Sequence, residues 1–388
     1  MALNIPLITN TLKNCLPSRN FIALHEPRFA GHEWEYVKEC IDTGWVSSVG
    51  KFVDRFEQQL AEFTNINHAI ATVNGTAALH ICLLLAGVQT DDEVLTPALT
   101  FIASTNAIAY CRAIPHFIDS TDRTLGVDPI SLADYLAEIV QIKQGISYNR
   151  QTQRPIRALL VMHTFGHPVE LDPLLELCQR YHLILIEDAA EGLGSYYQGQ
   201  HVGHHGKLSA LSFNGNKVIT TGGGGAILTQ DASLAKQAKH LTTTAKLPHA
   251  WRFDHDQLGY NYRLPNINAA LGCAQLEQLP TFLEAKRQLA QRYQQAFATI
   301  SGVRVIQEPI ETISNYWLNA LLLEPAYADQ QTALLTETNQ QGIMTRPCWT
   351  LQHKLPMYQA CPRMPLPVAE SLEARLINIP SSQGLMFD

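Results

Sequence analysis

The sequence predicts an α/β protein with a large domain built on a doubly wound, mostly parallel sheet and a smaller C-terminal α+β domain. Over the first two-thirds of its 388 residues, short apolar runs alternate with helix-like segments. The runs are nearly continuous in apolar residues, which is typical of strands covered by helices on both faces. A chain of this length exceeds one typical core. We therefore predict a large domain at residues 1–255 and a small domain at residues 256–388.

The predicted strands of the large domain are short. They lie at residues 68–73, 92–97, 113–119, 156–164 and 183–188. Helix-like segments such as GTAALHICLLLAG and SLADYLAEIVQI separate them. From about residue 256 the pattern changes to a long helix with 3.6-residue periodicity, partly interrupted by Pro280, and then to short strand-like runs. In a doubly wound sheet, ligands are expected at the carboxyl ends of the strands.

The composition argues against several classes of protein. A net charge of −7 without any Lys/Arg cluster argues against nucleic-acid binding, because neutralising phosphates requires a basic face. No apolar run reaches the ~18 residues of a membrane span, and the first residues lack the pattern of a secretory signal. The eight cysteines are scattered and form no C-x-x-C pair, so we expect free thiols and a cytoplasmic protein.

Nucleotide and metal motifs are incomplete or absent in the sequence. The stretch GLGSYYQG has two of the three glycines of a dinucleotide-binding fingerprint, and no G-x-x-x-x-G-K-[ST] phosphate loop occurs. The histidines of GQHVGHHG lack a nearby Cys or carboxylate to complete a ligand shell. We therefore predict a solvated loop there and no metal site.

Three stretches contain residues suited to one chemistry. Lys217 stands between the strand-like run LSALSF and four consecutive glycines. Asp188 ends the apolar run LILIED, at the edge where ligands bind, although capping of a following helix explains this residue equally well. The tripeptide NGT at residues 74–76 leads from a strand into a helix whose first N–H groups would form an anion site, although a simple turn would look the same.

Together these residues indicate pyridoxal phosphate (PLP). This cofactor requires a lysine for its Schiff base, an acid opposite its pyridine nitrogen and a cradle for its phosphate. Lys217, Asp188 and the helix that begins at Gly75 would supply these three groups, and Ser212 lies five residues before the lysine. The combination, rather than any single residue, predicts a PLP enzyme.

These stretches belong to an ordered set of motifs that covers essentially the whole chain: GWVSSVGKFVDRFE, NGTAALH, TPALTFIASTNA, HTFGHP, IEDAAEGLGS, SFNGNKVITTGGGGAI, GYNYRLPN and INIPSS. With these motifs the sequence resembles the DegT/DnrJ/EryC1/StrS aminotransferases, which act on nucleotide-linked keto sugars. The resemblance implies fold type I of the PLP-dependent transferases and an obligate homodimer. Some members have histidine in place of the lysine and act as dehydratases, so Lys217 implies transamination.

The resemblance also implies roles for individual residues. Lys217 would form the Schiff base and move the proton between substrate and cofactor, and Asp188 would pair with the pyridine nitrogen. Glu191 would lie near the phenolic oxygen of the cofactor or the catalytic amine, at a position where many relatives have glutamine. Phe101, in TPALTF, would stack on the cofactor ring.

The same resemblance implies that two subunits hold the phosphate of the cofactor. Gly75, Thr76 and the hydroxyl of Ser212 would contact it within one subunit. Asn261, in GYNYR, would reach it from the other subunit. This sharing of the site is the reason to expect a homodimer.

Finer details of the motifs imply a substrate. SFNGNKVITTGGGGAI, HTFGHPVELD and SNYWLNA resemble the subgroup that aminates UDP-linked 4-keto-6-deoxy-N-acetylhexosamines, with L-glutamate as amino donor, on routes to legionaminic acid or bacillosamine-like surface sugars. Perosamine-type enzymes, which act on GDP-4-keto-6-deoxymannose, usually differ around the lysine. A 3-keto or GDP-linked keto sugar is the alternative substrate. A PLP-binding regulatory protein without turnover is the alternative of another class.

The sugar and its anionic pyrophosphate require further contacts. The stretch QGIMTRPCWTLQHK offers cationic and aromatic groups, although an ordinary surface loop would contain the same residues. The candidate substrate-binding residues are Arg346, Trp349 and His353 in this stretch, Trp45, Ser47 and Ser48 in WVSS, and His163 in HTFGHP.

Overall fold

Helices and strands alternate through most of the chain in the computed structural model, which describes residues 2–387. The helices are α1 (Ile5–Asn14), α2 (Glu33–Thr43), α3 (Lys51–Thr64), α4 (Gly75–Leu85), α5 (Ile102–Tyr110), α6 (Pro129–Ile139), α7 (Leu171–Arg180), α8 (Ala232–Thr242), α9 (Asn266–Phe297), α10 (Gln331–Gln340) and α11 (Pro367–Glu373). The strands are β1 (His68–Thr72), β2 (Glu93–Pro97), β3 (Ile114–Ile118), β4 (Val140–Lys143), β5 (Ile146–Asn149), β6 (Pro155–Met162), β7 (Ile184–Asp188), β8 (Tyr196–Tyr197), β9 (Gln200–His201), β10 (Leu208–Ser212), β11 (Gly225–Thr229), β12 (Val303–Val305), β13 (Thr312–Ile313), β14 (Asn319–Leu323), β15 (Arg346–Pro347) and β16 (Leu376–Ile379). Within this described part of the chain, none of the helices has the length and apolar character that a bilayer span requires.

The large sheet confirms the predicted fold class. Its main strands follow the order β1-β11-β10-β7-β6-β2-β3. Strands β10, β7, β6, β2 and β3 run parallel, whereas β11 is antiparallel to both of its neighbours. Successive residues of β6 enter different cores: Leu159 and Val161 pack on one side of the sheet and Leu160 on the other. Both faces are therefore covered, as the continuous apolar runs predict.

The predicted strands correspond to β1, β2, β3, β6 and β7. Because β1 and β10 both pair antiparallel with β11, they run in the same direction as each other. The carboxyl ends of β1, β2, β6, β7 and β10 consequently meet at one edge of the sheet. Asp188 ends β7 at this edge, Ser212 ends β10, and residues 74–76 follow β1.

The sequence pattern does not predict the hairpin of β4 and β5. Helical periodicity continues past Ile139 in the sequence, whereas α6 ends there and β4 begins at Val140. Gln144 and Gly145 have positive φ angles of 52° and 77°, and they reverse the chain between the two strands. Strand β5 then pairs with β6. Turn formation and sheet pairing thus outweigh the helical pattern in this segment.

A second core forms around an antiparallel sheet of order β12-β14-β16-β15, which is the smaller unit expected. The N-terminal helix α1 packs in this core, where Ile8 and Leu12 are fully buried beside Tyr293 of α9. Residues near both ends of the chain therefore build this core. The predicted division between residues 255 and 256 stays a prediction.

The 32-residue helix α9 contributes to both cores. It continues through Pro280, so the partial interruption predicted there is wrong, and it contributes the fully buried Leu279 next to this proline. Further along, Lys286 is fully buried, and its Nζ donates hydrogen bonds to the carbonyl oxygens of Trp317 at 3.2 Å and Ser381 at 2.6 Å. Burial lowers the pKa of Lys286 to about 7. This amine ties α9 to the residues just before β14 and just after β16.

Asn266 at the start of α9 positions the beginning of α3 and the segment before it. Its Oδ1 accepts hydrogen bonds from the backbone N–H groups of Phe52 at 3.0 Å and Val53 at 3.3 Å, which lie in the first turn of α3. The N–H of Val53 also donates to the carbonyl oxygen of Gly50 at 3.1 Å. The Nδ2 of Asn266 donates to the carbonyl oxygen of Trp45 at 2.7 Å, and its backbone N–H donates to that of Ser47 at 2.6 Å. One buried amide therefore connects three segments.

We expect Asn266→Ala to lower the free energy of unfolding by about 1–3 kcal/mol, because the N–H of Phe52 and the carbonyl oxygen of Trp45 lose the Asn266 side chain as a partner and the N–H of Val53 loses one of its two acceptors. Urea unfolding followed by far-UV circular dichroism measures the change. The matched control is Gln288→Ala, on the exposed face of the same helix, for which a change below about 0.5 kcal/mol is expected. Equal midpoints for the two variants would contradict the role assigned to Asn266.

Candidate active site

A cavity of about 220 Å³ opens at the edge of the large sheet where the carboxyl ends of the strands meet. Most of the predicted cofactor-binding residues and one predicted substrate-binding residue line it: Gly75, Thr76, Phe101, Asp188, Glu191, Ser212, Lys217 and Trp349. These residues are far apart in the chain. Parallel strands bring them together, because the connections that follow such strands lie at the same edge of the sheet.

Lys217 lies in the connection between β10 and β11. Its backbone N–H donates to the carbonyl oxygen of Asn214 at 3.0 Å, which forms a tight turn before the lysine. Its Nζ lies 3.1 Å from Oε1 of Glu191. Only 12% of the Lys217 side chain is exposed, so water and salt screen this ion pair less than they screen a surface pair.

Glu191 is the buried partner in this pair. Its second oxygen, Oε2, accepts a hydrogen bond from the backbone N–H of Phe165 at 2.8 Å. Burial raises the pKa of Glu191 to about 7, against the opposing effects of Lys217 and of this hydrogen bond. A carboxyl group that titrates near neutral pH beside an amine can both hold and release a proton.

The carboxylates of Glu187 and Asp188 point to opposite sides of β7, as neighbouring residues of a strand do. Asp188 faces the cavity, where its Oδ2 accepts a hydrogen bond from Oγ of Ser104 at 2.6 Å and its Oδ1 accepts one from the N–H of Ala190 at 3.1 Å. Burial raises the pKa of Asp188. Burial also opposes ionisation of Glu187, but His163 beside it lowers the pKa of that carboxyl to about 2. No helix begins directly after Asp188, so this residue does not act as a helix cap.

The first turn of α4 and the end of β10 form a cradle suited to an anion. Helix α4 begins at Gly75, and the first N–H groups of a helix lack partners within it. The side chain of Asn74 accepts a hydrogen bond from the N–H of Ala77 at 2.8 Å and so orients the turn. Thr76 and Ser212 line the same corner. A Cβ at Gly75 would lie 2.9 Å from Cβ of Ser212, so a side chain there would crowd the cradle.

Glycine suits the positions after Lys217 for different structural reasons. Gly222 has a φ of 78°, in the left-handed region that favours glycine. A Cβ at Gly225 would lie 2.5 Å from the carbonyl carbon of Asn74, so glycine lets β11 approach the start of α4. Gly223 and Gly224 line the cavity itself. The run of glycines therefore keeps the chain close to the cradle without side chains that would occupy it.

This set of groups fits PLP. An anion cradle, a shielded amine and a buried acid surround one cavity, and these are the three groups that the cofactor requires. Phe101 forms an apolar wall of the cavity, and 45% of its surface is exposed. Its ring centroid lies 6.0 Å from that of Trp349.

Sequence reasoning misses several residues of the site. The further lining residues include Leu79, Ala103, Met162, Ala190, Asn214, Asn216 and Trp317. Asn214 and Asn216 flank the lysine closely enough for the motif around it to indicate them. Trp317 comes from the C-terminal part of the chain, and its ring centroid is 3.8 Å from Nζ of Lys217. No local signal distinguishes this tryptophan from a core residue before a strand.

Two groups of candidates lie away from the cavity of their own chain. Asn261 is exposed, and its Oδ1 accepts hydrogen bonds from Nε of Arg263 at 3.3 Å and from a terminal nitrogen of the same guanidinium at 3.2 Å. Trp45, 58% exposed, lines a separate groove of about 550 Å³ near Asn266. Ser47 and Ser48 follow it in the chain. The functional roles of these residues stay predictions.

Three more substrate candidates do not line the cavity. His163 is fully buried, and its Nε2 lies 2.9 Å from Oε2 of Glu187. Arg346 is exposed on β15. His353 is 8% exposed, and its Nε2 lies 3.6 Å from Oε1 of Glu370. Substrate contacts by these residues also stay predictions.

The raised pKa of Glu191 leads to a prediction about stability. An unfolded chain releases this proton near pH 4.3, whereas the folded protein retains it up to about pH 7. Between these values the folded state binds the extra proton, so this carboxyl lowers stability as the pH rises. We expect the stability of Glu191→Gln, relative to the wild type, to increase by about 1–3 kcal/mol from pH 5 to pH 8 in the apoenzyme.

Urea unfolding of both proteins at the two pH values measures this difference. Glutamine has nearly the same shape as glutamic acid and does not titrate, which makes the variant its own steric control. A difference in stability that does not change with pH would show that burial does not raise the pKa of Glu191.

Comparisons with known proteins agree with the geometry of the site. The model of the DegT/DnrJ/EryC1/StrS aminotransferase family matches residues 27–388. The GDP-perosamine synthase of Escherichia coli O157:H7 is 37% identical over 365 residues, which are 94% of this chain and 94% of that protein. The putative pyridoxal phosphate-dependent aminotransferase EpsN of Bacillus subtilis is 35% identical over 337 residues, which are 87% of this chain and 84% of that protein.

A solved structure gives the same result for the fold. The aminotransferase TlmJ from Streptoalloteichus hindustanus superposes with a TM-score of 0.84 and 26% sequence identity, and the match covers 94% of each chain. The family match extends over nearly all of the sequence, and the cavity holds the groups that PLP requires. The chain therefore belongs to the DegT/DnrJ/EryC1/StrS aminotransferase family and is a PLP-dependent aminotransferase.

Proposed function

We propose that this protein transfers an amino group from L-glutamate to the keto carbon of a GDP-linked keto sugar. The observation that carries this proposal is the 37% identity to a GDP-perosamine synthase along nearly the full length of both chains. It favours the GDP-linked alternative over the UDP-linked N-acetylhexosamine that the motifs around Lys217 suggest. The UDP-linked 4-keto sugar is the second candidate, and the observation in its favour is that local resemblance alone.

Lys217 is the proposed proton carrier of the reaction. When bound, PLP withdraws electrons from the substrate carbon next to the nitrogen, so that a proton can leave that carbon. The Nζ of Lys217 would accept this proton and would so move it between substrate and cofactor. Glu191, 3.1 Å away, would hold the amine in place and accept or supply a proton near neutral pH.

The remaining groups would bind and orient the cofactor. Asp188 would hold a proton at the pyridine nitrogen through a charged hydrogen bond, and Ser104 would keep its carboxylate oriented. The first turn of α4, with Thr76 and Ser212, would hold the phosphate. Phe101 would shield one face of the ring from water.

The segment from Arg346 to Trp349 gives a direction for the substrate. Trp349 lines the cavity, and Arg346 is exposed three residues earlier in the chain. We infer that the sugar lies against Trp349 while the diphosphate extends outward toward Arg346, where a guanidinium would bind it. His353, Trp45, Ser47 and Ser48 remain further candidates for contacts outside the cavity, and His163 would act only through its neighbours.

We also infer a homodimer with shared active sites. Trp251, Phe253 and Leu258 are between 76% and 79% exposed and lie in one connecting segment. Several large apolar side chains exposed together mark a contact surface. Asn261 follows them in the same segment and does not line the cavity of its own chain, which is the arrangement expected if it reaches the site of a second copy.

A cytoplasmic location and a place in the synthesis of an amino sugar for surface glycans complete the proposal. The eight cysteines are all free thiols, and seven of them are buried. Persistent free thiols are typical of a reducing compartment.

The substrate proposal predicts a preference that kinetics can measure. We expect kcat/KM for GDP-4-keto-6-deoxymannose to exceed that for the UDP-linked 4-keto-6-deoxy-N-acetylhexosamine by about tenfold or more, since the two differ in both base and sugar substituent. Production of 2-oxoglutarate from L-glutamate measures the rates, and Lys217→Ala should reduce both to background.

Each other outcome of this assay has a definite meaning. A preference for the UDP-linked sugar would reverse the assignment in favour of the second candidate. Conversion of the cofactor by L-glutamate without turnover of any keto sugar would contradict the sugar assignment. A visible spectrum that L-glutamate leaves unchanged would favour a regulatory protein that binds PLP without turnover.

The shared site predicts that two inactive variants restore each other. Lys217→Ala lacks the amine and Asn261→Ala lacks the amide, so each homodimer should have little activity. A mixed dimer contains one site with both residues intact. After exchange of subunits, we expect about one quarter of the wild-type activity per chain.

Sedimentation velocity on each variant provides the control, because both must be dimers of native mass for the mixing to be valid. Activity of the mixture equal to the mean of the separate variants would contradict the sharing of sites. A monomeric wild type would contradict the dimer itself.

A further inference from the structure

The amine of Lys217 contacts two side chains that come from distant parts of the chain. The carboxylate of Glu191 lies 3.1 Å from Nζ, and the ring of Trp317 lies beneath it with its centroid 3.8 Å away. The face of an indole ring attracts a cation, and this attraction is stronger where water is excluded. Trp317 is only 4% exposed, so its ring is shielded from water where it meets the amine.

Trp317 also contacts the backbone beside the lysine. Its Nε1 donates a hydrogen bond to the carbonyl oxygen of Asn216 at 2.7 Å, one residue before Lys217. The ring therefore holds the lysine twice, once at the main chain and once at the end of the side chain. A tryptophan that only filled space in the core would need neither contact.

The other member of the ion pair is connected to the same short segment. The side chain of Asn315 donates hydrogen bonds to the carbonyl oxygens of Glu191 and Leu193, each at 2.8 Å. Its Oδ1 accepts one from the backbone N–H of Trp317 at 2.8 Å. Residues 315–317 thus bind the carbonyl oxygen of Asn216, directly before Lys217, and that of Glu191. These contacts fix the two main-chain segments relative to each other.

The buried amine of Lys286 also holds this segment. Nζ of Lys286 donates a hydrogen bond to the carbonyl oxygen of Trp317 at 3.2 Å. The ring of Phe165 packs beside the indole, with centroids 6.4 Å apart, while its backbone N–H binds Glu191. Trp317 is therefore held by its main-chain carbonyl oxygen, by its Nε1–H group and by the packing of the Phe165 ring beside the indole.

We propose that Trp317 is a positioning residue that keeps the amine of Lys217 at its reactive place whenever that amine is not bonded to the cofactor. In a transamination the lysine must leave the cofactor and return to it once per cycle. The ring and the carboxylate of Glu191 together confine the free amine, so that it does not extend into the space of the sugar. This inference rests on the proposed role of Lys217.

The test compares Trp317→Leu, which removes the aromatic face, with Trp317→Phe, which keeps a ring but loses the N–H group. The first readout is the rate at which apoenzyme recaptures added PLP, followed by visible absorption in a stopped-flow instrument. The second is the separation of kcat from KM for L-glutamate and the nucleotide sugar. Phe297→Leu, a buried aromatic truncation in the second core, is the matched control.

We expect Trp317→Leu to slow recapture and to lower kcat by about tenfold to a hundredfold, because a reacting group displaced by an ångström loses rate on this scale. Both KM values should remain close to those of the wild type. The rate of recapture and the kcat of Trp317→Phe should lie between those of Trp317→Leu and the wild type. Phe297→Leu should recapture PLP at the wild-type rate.

Several results would overturn the proposal. Recapture by Trp317→Leu at the wild-type rate would do so, as would an unchanged kcat with a raised KM for the nucleotide sugar, which would assign the ring to sugar binding. An equal loss in Phe297→Leu would reduce the effect to general packing. Mass spectrometry after borohydride reduction tests the underlying role separately: failure to find the cofactor on Lys217 would contradict the proposed function itself.

Discussion

The ion pair of Lys217 and Glu191 is the contact on which the rest of the active site depends. Each partner comes from a turn that follows a parallel strand, and the pair forms because β7 and β10 are neighbours in the sheet. An unpaired charge in such a place would cost several kcal/mol, so the two turns are constrained to keep their partners together. The cradle at α4 and the acid at the end of β7 are then placed relative to one amine.

Three carboxylates within five residues show how environment sets the chemistry of identical groups. Glu187 faces away from the cavity and meets His163, which lowers its pKa to about 2. Asp188 faces the cavity, where burial raises its pKa. Glu191 lies three residues after Asp188, and burial raises its pKa to about 7. Alternation along a strand, followed by a turn, therefore gives these carboxylates three different properties. Glu187 stays an anion, Asp188 can pair with a cation in the cavity, and Glu191 titrates near neutral pH.

The second core takes part in the site through one short segment. Asn315 and Trp317 contact the main chain beside both members of the ion pair, and Lys286 binds the carbonyl oxygen of Trp317. Burial lowers the pKa of Lys286 to about 7, and the contacts of its Nζ with two carbonyl oxygens and with Nε2 of His25 offset part of the cost of burying the amine. The complete site therefore forms only when the segments of both cores are folded together.

Local patterns in the amino-acid sequence are enough to predict the class of the fold, the cofactor and the residues that follow the strands of the large sheet. Continuous apolar runs identify strands that are covered on both faces, and Lys217, Asp188 and the NGT tripeptide are each recognisable within a few neighbouring residues. These signals are local, which is why they can be read without a structure. Helical periodicity failed at the hairpin of β4 and β5, where a turn with positive φ angles governs the chain, and the interruption predicted at Pro280 is absent from α9.

The distant groups that surround the amine of Lys217 are brought together by the packing of the folded chain. Trp317 lies 100 residues beyond Lys217 and Ser104 lies far before Asp188, so no local pattern predicts that they are in contact. The same holds for the candidates that do not line the cavity: HTFGHP does not reveal that His163 contacts Glu187, and GYNYR does not reveal that Asn261 is absent from the lining of the cavity in its own chain. The physical reason is that burial and contact between side chains depend on how strands and helices pack, and packing is a property of the whole chain.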